Sequence, residues 1–81
     1  MKKVLVKYIV GDFRNKEHGK IVDRFLAENE KDLQLLKDSK IIGTLQLDGM
    51  RKSIARGEQL IVNENGGYCN TTGTWEIIKR L

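Results

Sequence analysis

The residue types that could do chemistry are few, and two of them lie close together near the carboxyl end. The stretch NENGGYCNTTGTWEI, residues 63–77, holds the single cysteine, Cys69, and the single tryptophan, Trp75. A cysteine nucleophile needs a base within hydrogen-bonding reach and a third group that orients that base. The single histidine, His18, lies far away in sequence, in a polar segment. We therefore predict that the chain is not an enzyme, with Cys69 as a half-buried small hydrophobe and His18 in an exposed loop.

Metal and phosphate chemistry also lack their usual patterns. One cysteine, one histidine and scattered acidic residues offer no metal-ligand spacing. The glycine-rich run GGYCNTTG lacks the Lys-Ser/Thr ending of a phosphate loop, and a strand rather than a helix is predicted to follow it. The sequence thus predicts no cofactor and no metal site.

Sheet geometry offers a simpler interpretation of residues 63–77 than a binding loop built around a thiol. Asn65-Gly66 is a typical hairpin-turn dipeptide, and Gly73 marks a bulge or break before the final strand. Tyr68 and Trp75 then become cross-strand or core aromatics. We favour this interpretation over the binding loop.

The first half of the chain predicts a hairpin followed by a helix. Residues 3–11 and 20–28 are rich in β-branched and aromatic residues, which favours two paired strands. Asn29 is a good helix N-cap, and the acidic residues after it favour a helix over 30–39. The alternative is one long helix over 20–38, because its apolar residues also fit half of a helical wheel.

The second half predicts a third strand over 40–47, then a short helix over 49–56 that Asp48 caps and Gly57 ends. Met50 and Ile54 would face inward from this helix. Strands over 58–64 and the C-terminal segment complete a single α+β domain over 1–81. Its antiparallel sheet has about five strands, in the order β-β-α-β-short α-β-β, with one helix packed on one face.

The composition indicates in which cellular compartment such a domain is expected. The chain has 81 residues, a net charge of +4 and one cysteine, which suits a reducing compartment better than secretion. The N-terminal MKKVLVKYIVG resembles a signal peptide, but Lys7 interrupts its apolar run and no small-residue cleavage site follows. No segment is apolar for long enough to span a membrane. We expect a cytoplasmic protein whose small core a second copy could supplement, as a homodimer.

Two groups of basic residues are candidate partner- or anion-binding sites. A short helix would present the first group together, and the second surrounds the first hairpin. The first group is Arg51, Lys52 and Arg56, and the second is Arg14, Lys16, Lys20 and Arg24. Phosphate neutralisation by such residues supports an alternative function, a nucleic-acid or anionic-nucleotide binding domain. No RNP, KH or zinc-finger pattern accompanies them.

Binding of a protein is the function that we rank first. Segments 3–11, 41–47 and 74–81 could be sheet edges that recruit a partner strand, and no proline guards them. The small size of the chain and its composition, rich in lysine, isoleucine and asparagine, resemble those of bacterial and phage accessory proteins. That resemblance implies a stoichiometric inhibitor or regulator, and it rests on no motif.

Overall fold

A five-stranded antiparallel sheet with two helices on one face forms the domain. The computed structural model describes residues 2–9, 18–71 and 75–81. The elements are β1 (Lys3–Tyr8), β2 (Ile21–Ala27), α1 (Glu30–Asp38), α2 (Thr44–Ala55), β3 (Leu60–Val62), β4 (Tyr68–Asn70) and β5 (Trp75–Arg80). The strand order in the sheet is β4-β3-β2-β1-β5. The predicted fold class, α+β with an antiparallel sheet of about five strands, is confirmed.

The first hairpin forms as predicted, and the alternative of one long helix over 20–38 is wrong. β1 pairs antiparallel with β2, with Val4 opposite Arg24 and Val6 opposite Val22. β1 also pairs with β5, so it lies inside the sheet. Val4 and Val6 are fully buried, which explains why β1 is apolar on alternate positions.

α1 begins and ends through local backbone chemistry. The Asn29 side chain accepts a hydrogen bond from the Asp32 amide at 2.9 Å, which confirms the predicted N-cap. At the other end the Lys40 amide bonds to the Lys37 carbonyl and the Ile41 amide to the Leu36 carbonyl. These two bonds form a Schellman motif, which places Lys40 in the left-handed region at φ 61°.

The predicted third strand over 40–47 is wrong, and so is the boundary of the short helix over 49–56. Residues 39–43 form a connection, and α2 then runs from Thr44 to Ala55, so Asp48 lies inside the helix instead of capping it. Gly43 is the N-cap, and its amide bonds to Gln46 Oε1 at 3.1 Å. Helical spacing brings Leu47 and Met50 to the buried side, and this burial overrides the strand-like local pattern. The predicted stop at Gly57 is confirmed by its φ of 82°.

The β3–β4 hairpin is present, but its connection is longer than the two-residue turn that Asn65-Gly66 suggests. The Asn63 side chain organises this connection by accepting hydrogen bonds from the amides of Asn65 and Gly67, both at 2.9 Å. Gly66 has φ 83°, and a Cβ there would lie 2.5 Å from the Ile41 carbonyl oxygen. Glycine is thus required both by backbone angle and by close approach. The bulge expected at Gly73 lies outside the described residues.

The sheet has apolar residues on both faces. On the face that carries the helices, which we call the helix face, a buried cluster joins α1 and α2 to β2 and β3 through residues such as Leu36, Met50 and Leu60. On the opposite face, which we call the inner face, Val4, Val6, Leu26 and Ile61 form a second buried cluster.

Candidate binding surfaces

The inner face is concave, and the contact between Cys69 and Trp75 shows this directly. These residues lie on β4 and β5, the two edge strands, which in a flat sheet would be separated by four strand spacings, roughly 19 Å. Instead the Trp75 Nε1 group donates a hydrogen bond to Cys69 Sγ at 3.0 Å. Tyr8 packs edge-to-face on Trp75, with 4.9 Å between ring centroids. The sheet therefore curls until its edges meet.

The thiol is placed for packing. Burial raises the pKa of the Cys69 thiol, and the hydrogen bond from Trp75 offsets only part of that effect. A protonated thiol is a poor nucleophile. His18 is exposed in the turn before β2, and no hydrogen bond joins it to Cys69 in the part of the chain that the structure describes. The arrangement resembles a structural contact between sheet edges more than a nucleophile and its base.

A cavity of about 330 Å³ opens on the inner face beside this contact. Its walls combine the apolar side chain of Ile61 with polar and aromatic groups from β2, the β3–β4 hairpin and β5. The described residues that line it are Arg24, Ile61, Asn63, Gly67, Tyr68, Cys69 and Trp75. Sequence analysis singled out Arg24 as a possible anion-binding residue, but it treated Tyr68, Cys69 and Trp75 as structural. Their shared cavity depends on the curl of the sheet, which no local signal predicts.

The basic group on α2 is largely paired with nearby carboxylates. Arg51 Nε lies 2.6 Å from Glu30 Oε1, and Arg56 Nε lies 3.1 Å from Glu58 Oε1. The hydrogen bond from Arg56 lowers the pKa of Glu58. Lys52 is exposed on the same helix. Two of the three predicted residues thus have their charge matched locally.

The basic residues of the first hairpin do not join the α2 group in one surface. Arg24 lines the inner-face cavity, whereas α2 packs on the helix face. Lys20 is exposed just before β2. Arg14 and Lys16 lie outside the described residues. Anion binding by these residues stays a prediction.

An exposed apolar surface lies on the helix face, beside the helices. α1 and α2 pack over β3 and the carboxyl-terminal part of β2, where Phe25 and Ala27 lie, so the start of β2 lies beyond them together with β1 and β5. Cross-strand partners point to the same side of a sheet, so Leu5, Ile21 and Phe25 share this face. Ile21 is 57% exposed, Ile78 is 47% exposed and Leu81 is 62% exposed. We call Leu5, Ile21, Ile78 and Leu81 the outer β1–β5 surface.

Charged residues alternate with the apolar residues of the outer β1–β5 surface. Lys3 lies 3.5 Å from Asp23, and its ammonium group sits 5.2 Å from the centre of the Phe25 ring. Lys7 and Lys79 are exposed and form no ion pair with any carboxylate that the structure describes. The register places Asp23 and Lys79 opposite Leu5, and Glu76 opposite Lys7, on this same face. The surface therefore mixes apolar and charged side chains, with lysines in slight excess over carboxylates.

The strand edges are less available than the sequence suggests. Residues 3–8 lie inside the sheet and 41–47 contain no strand, so neither segment is the edge that was predicted. β5 is an edge, but its pairing with β1 shifts register between Val6 and Leu5. A bulge and charged residues such as Lys79 and Arg80 guard an edge against strand addition.

A charged cluster at one end of the inner face ties the chain together. Glu28 accepts hydrogen bonds from Arg80 at 2.7 Å, Gln59 at 2.7 Å and Lys2 at 3.2 Å. Lys2 also pairs with the buried Asp32 at 3.1 Å. The hydrogen bond from Arg80 is the main cause that lowers the pKa of Glu28 to about 2, against the opposing effect of burial. Sequence analysis missed this cluster because its members come from both ends and the middle of the chain.

Other kinds of site are not evident in the described residues. No group of three or more possible metal ligands is present among them. Neither α1 nor α2 is long and apolar enough to cross a membrane. Comparison of the chain with protein-family models, curated protein sequences and solved structures returns no match.

Proposed function

We propose that this chain is a non-catalytic binding domain whose partner is another protein, docked on the outer β1–β5 surface. One observation supports this most: three large apolar side chains, Ile21, Ile78 and Leu81, are about half exposed or more on a sheet surface that lies beyond both helices. Several exposed apolar side chains on one face, interspersed with polar ones, are typical of protein-binding surfaces.

The lysines of this surface, which outnumber its carboxylates Asp23 and Glu76, suggest the charge of the partner. Lys7 and Lys79 have no carboxylate partner in the described chain, so acidic residues of a docked protein would complement them. We expect face-to-face docking in place of strand addition, because a bulge interrupts the pairing of β5. A small domain that binds without chemistry acts stoichiometrically, as an inhibitor or regulator. Its single thiol suits a reducing compartment, so we place this action in the cytoplasm.

Matched surface variants test the proposal. Ile78→Glu and Ile21→Glu each replace an exposed apolar side chain of the surface with a charge, whereas Leu45→Glu puts one on α2 at a residue that is 87% exposed. Affinity capture from the source cells, followed by titration of the recovered partner, should show at least about tenfold weaker binding for Ile78→Glu. Leu45→Glu should bind like the unmodified chain. Circular dichroism of each variant checks that it folds.

Three outcomes would contradict the proposal. The first is equal binding by Ile78→Glu and the unmodified chain. The second is recovery of nucleic acid, with affinity that falls by orders of magnitude between low and moderate salt, which would favour the nucleic-acid alternative. The third is a chain that sediments alone as a dimer and that Ile78→Glu makes monomeric, which would show that the surface binds a second copy.

A further inference from the structure

The described side chains that line the inner-face cavity leave unpaired hydrogen-bonding groups of one kind. Asn63 Oδ1 already accepts from the amides of Asn65 and Gly67, and the Trp75 Nε1 group already donates to Cys69. The amide of Asn63 bonds to the Gly67 carbonyl at 2.9 Å. The Tyr68 hydroxyl lies on the helix face, since Tyr68 pairs with Val62 and its hydroxyl would be 2.5 Å from a Cβ at Gly49 of α2. Among the described residues, the side-chain groups left over are therefore donors, namely the Asn63 amide nitrogen and the guanidinium of Arg24.

Arg24 brings an unmatched charge to this wall. One of its nitrogens donates to the Asp23 carbonyl at 2.7 Å, and a guanidinium has further N–H groups to offer. No carboxylate among the described residues forms an ion pair with it. A partly buried cation beside free donors favours a ligand that carries an anionic group with several acceptor atoms.

The other residues that line the cavity favour a ligand with an aromatic ring. The ring of Trp75 and the side chain of Ile61 line the same cavity, and Trp75 is held in place by its contacts with Tyr8 and Cys69. A volume of about 330 Å³ lies at the small end of ligand sites, which suits one or two rings and not a polymer. Apolar and aromatic walls together with a few convergent polar groups are the usual form of a small-molecule site.

We propose that the inner-face cavity binds a small planar aromatic molecule that carries one anionic group, a carboxylate or a phosphate monoester. The ring lies against Trp75 and Ile61, and the anion bonds to Arg24 and to the Asn63 amide. This site lies on the opposite face of the sheet from the outer β1–β5 surface, so it is independent of the proposed protein-binding function.

The single tryptophan allows a direct measurement, because all tryptophan fluorescence of the chain comes from Trp75 in the cavity wall. The probes are benzoate, phenyl phosphate and the neutral analogue benzamide. Benzoate or phenyl phosphate should change the fluorescence with a saturable dependence on concentration, and benzamide should bind at least about tenfold more weakly. The stronger of the two anions identifies the carboxylate or the phosphate monoester as the preferred group.

Substitutions distinguish anion binding in the inner-face cavity from anion binding at other basic residues. Arg24→Gln should weaken binding of the preferred anion by at least about tenfold, whereas Arg51→Gln, on α2, should leave it unchanged. Arg24→Lys, which keeps the charge, should retain part of the affinity and covers the case in which Arg24→Gln does not fold. NMR shift changes on adding the anion should concentrate at residues 61–69 and Arg24.

The proposal is overturned if neither anion changes the fluorescence at millimolar concentration. It is equally overturned if benzamide binds as well as benzoate and phenyl phosphate do, or if Arg24→Gln folds and binds like the unmodified chain. Shift changes confined to α2 would place anion binding at Arg51, Lys52 and Arg56, which would also overturn it.

Discussion

Replacing Glu28 with glutamine tests the charged cluster that joins the two ends of the chain. Its carboxylate accepts hydrogen bonds from Arg80, Gln59 and Lys2, and its side chain is only 22% exposed. Glutamine keeps the size and the amide can still accept one of these bonds, but the negative charge is lost. The variant therefore isolates the electrostatic contribution of this position to folding.

The pKa of Glu28 allows an estimate of how much stability Glu28→Gln loses. The pKa of Glu28 falls from 4.5 to about 2 on folding. At about 1.4 kcal/mol per pKa unit, the charge of Glu28 therefore contributes at most about 3 kcal/mol to the free energy of unfolding. The side chains of Arg80 and Lys2 are 57% and 43% exposed, so solvent screens their interactions with Glu28. We therefore expect Glu28→Gln to lower the free energy of unfolding by about 1–2 kcal/mol at pH 7.

The direction of the pKa shift determines how the stabilisation by Glu28 changes with pH. Because the folded pKa is lower than the ordinary value, the stabilisation is fully present above about pH 4.5 and is lost as the pH falls toward 2. Urea unfolding at several pH values should show the variant and the unmodified chain converging over that range. Glu64→Gln is the control, since Glu64 is exposed and forms no ion pair with a described residue. Equal stability at pH 7, or a difference that persists at pH 2, would show that the charge of Glu28 does not stabilise the fold.

Two further predictions concern backbone conformation. Lys40→Gly should raise the free energy of unfolding by about 0.5–1 kcal/mol, because Lys40 sits at φ 61° in the Schellman motif; a loss of stability in urea unfolding would contradict this. Gly66→Ala should lower the free energy of unfolding by at least about 1 kcal/mol more than Gly19→Ala does. Both have φ near 80°, but only at Gly66 would the Cβ meet a backbone oxygen, at 2.5 Å; equal thermal denaturation midpoints would show that the contact does not matter.

Local signals predicted much of the fold. The alternation of β1 and β2, the N-cap at Asn29 and the stop at Gly57 each depend on neighbouring residues, and all three were correct. The start of α2 was missed because Ile41 and Ile42 resemble a strand, although they lie in the connection after the Schellman motif. Packing of α2 against α1 and β3 decides that conformation, and it outweighs the local preference.

The candidate surfaces could not be predicted, because each depends on how distant segments pack. The outer β1–β5 surface is exposed because the helices pack over β3 and only the carboxyl-terminal part of β2, an arrangement that the sequence of a single strand does not determine. The inner-face cavity needs Cys69 and Trp75 on opposite sheet edges that then curl together. Basic residues were easy to find by sequence, but the carboxylate partners of Arg51 and Arg56 were not.

Methyl NMR of the chain with and without its bound partner tests the docking surface most directly. The outer β1–β5 surface predicts that the largest shift changes occur at the methyl groups of Ile21, Ile78, Leu5 and Leu81. The methyl groups of Leu35 and Leu45, which are exposed on the helices, should change little. Largest changes at Leu35 or Leu45, with Ile21 and Ile78 unaffected, would show that the partner docks on the helices and would contradict the account.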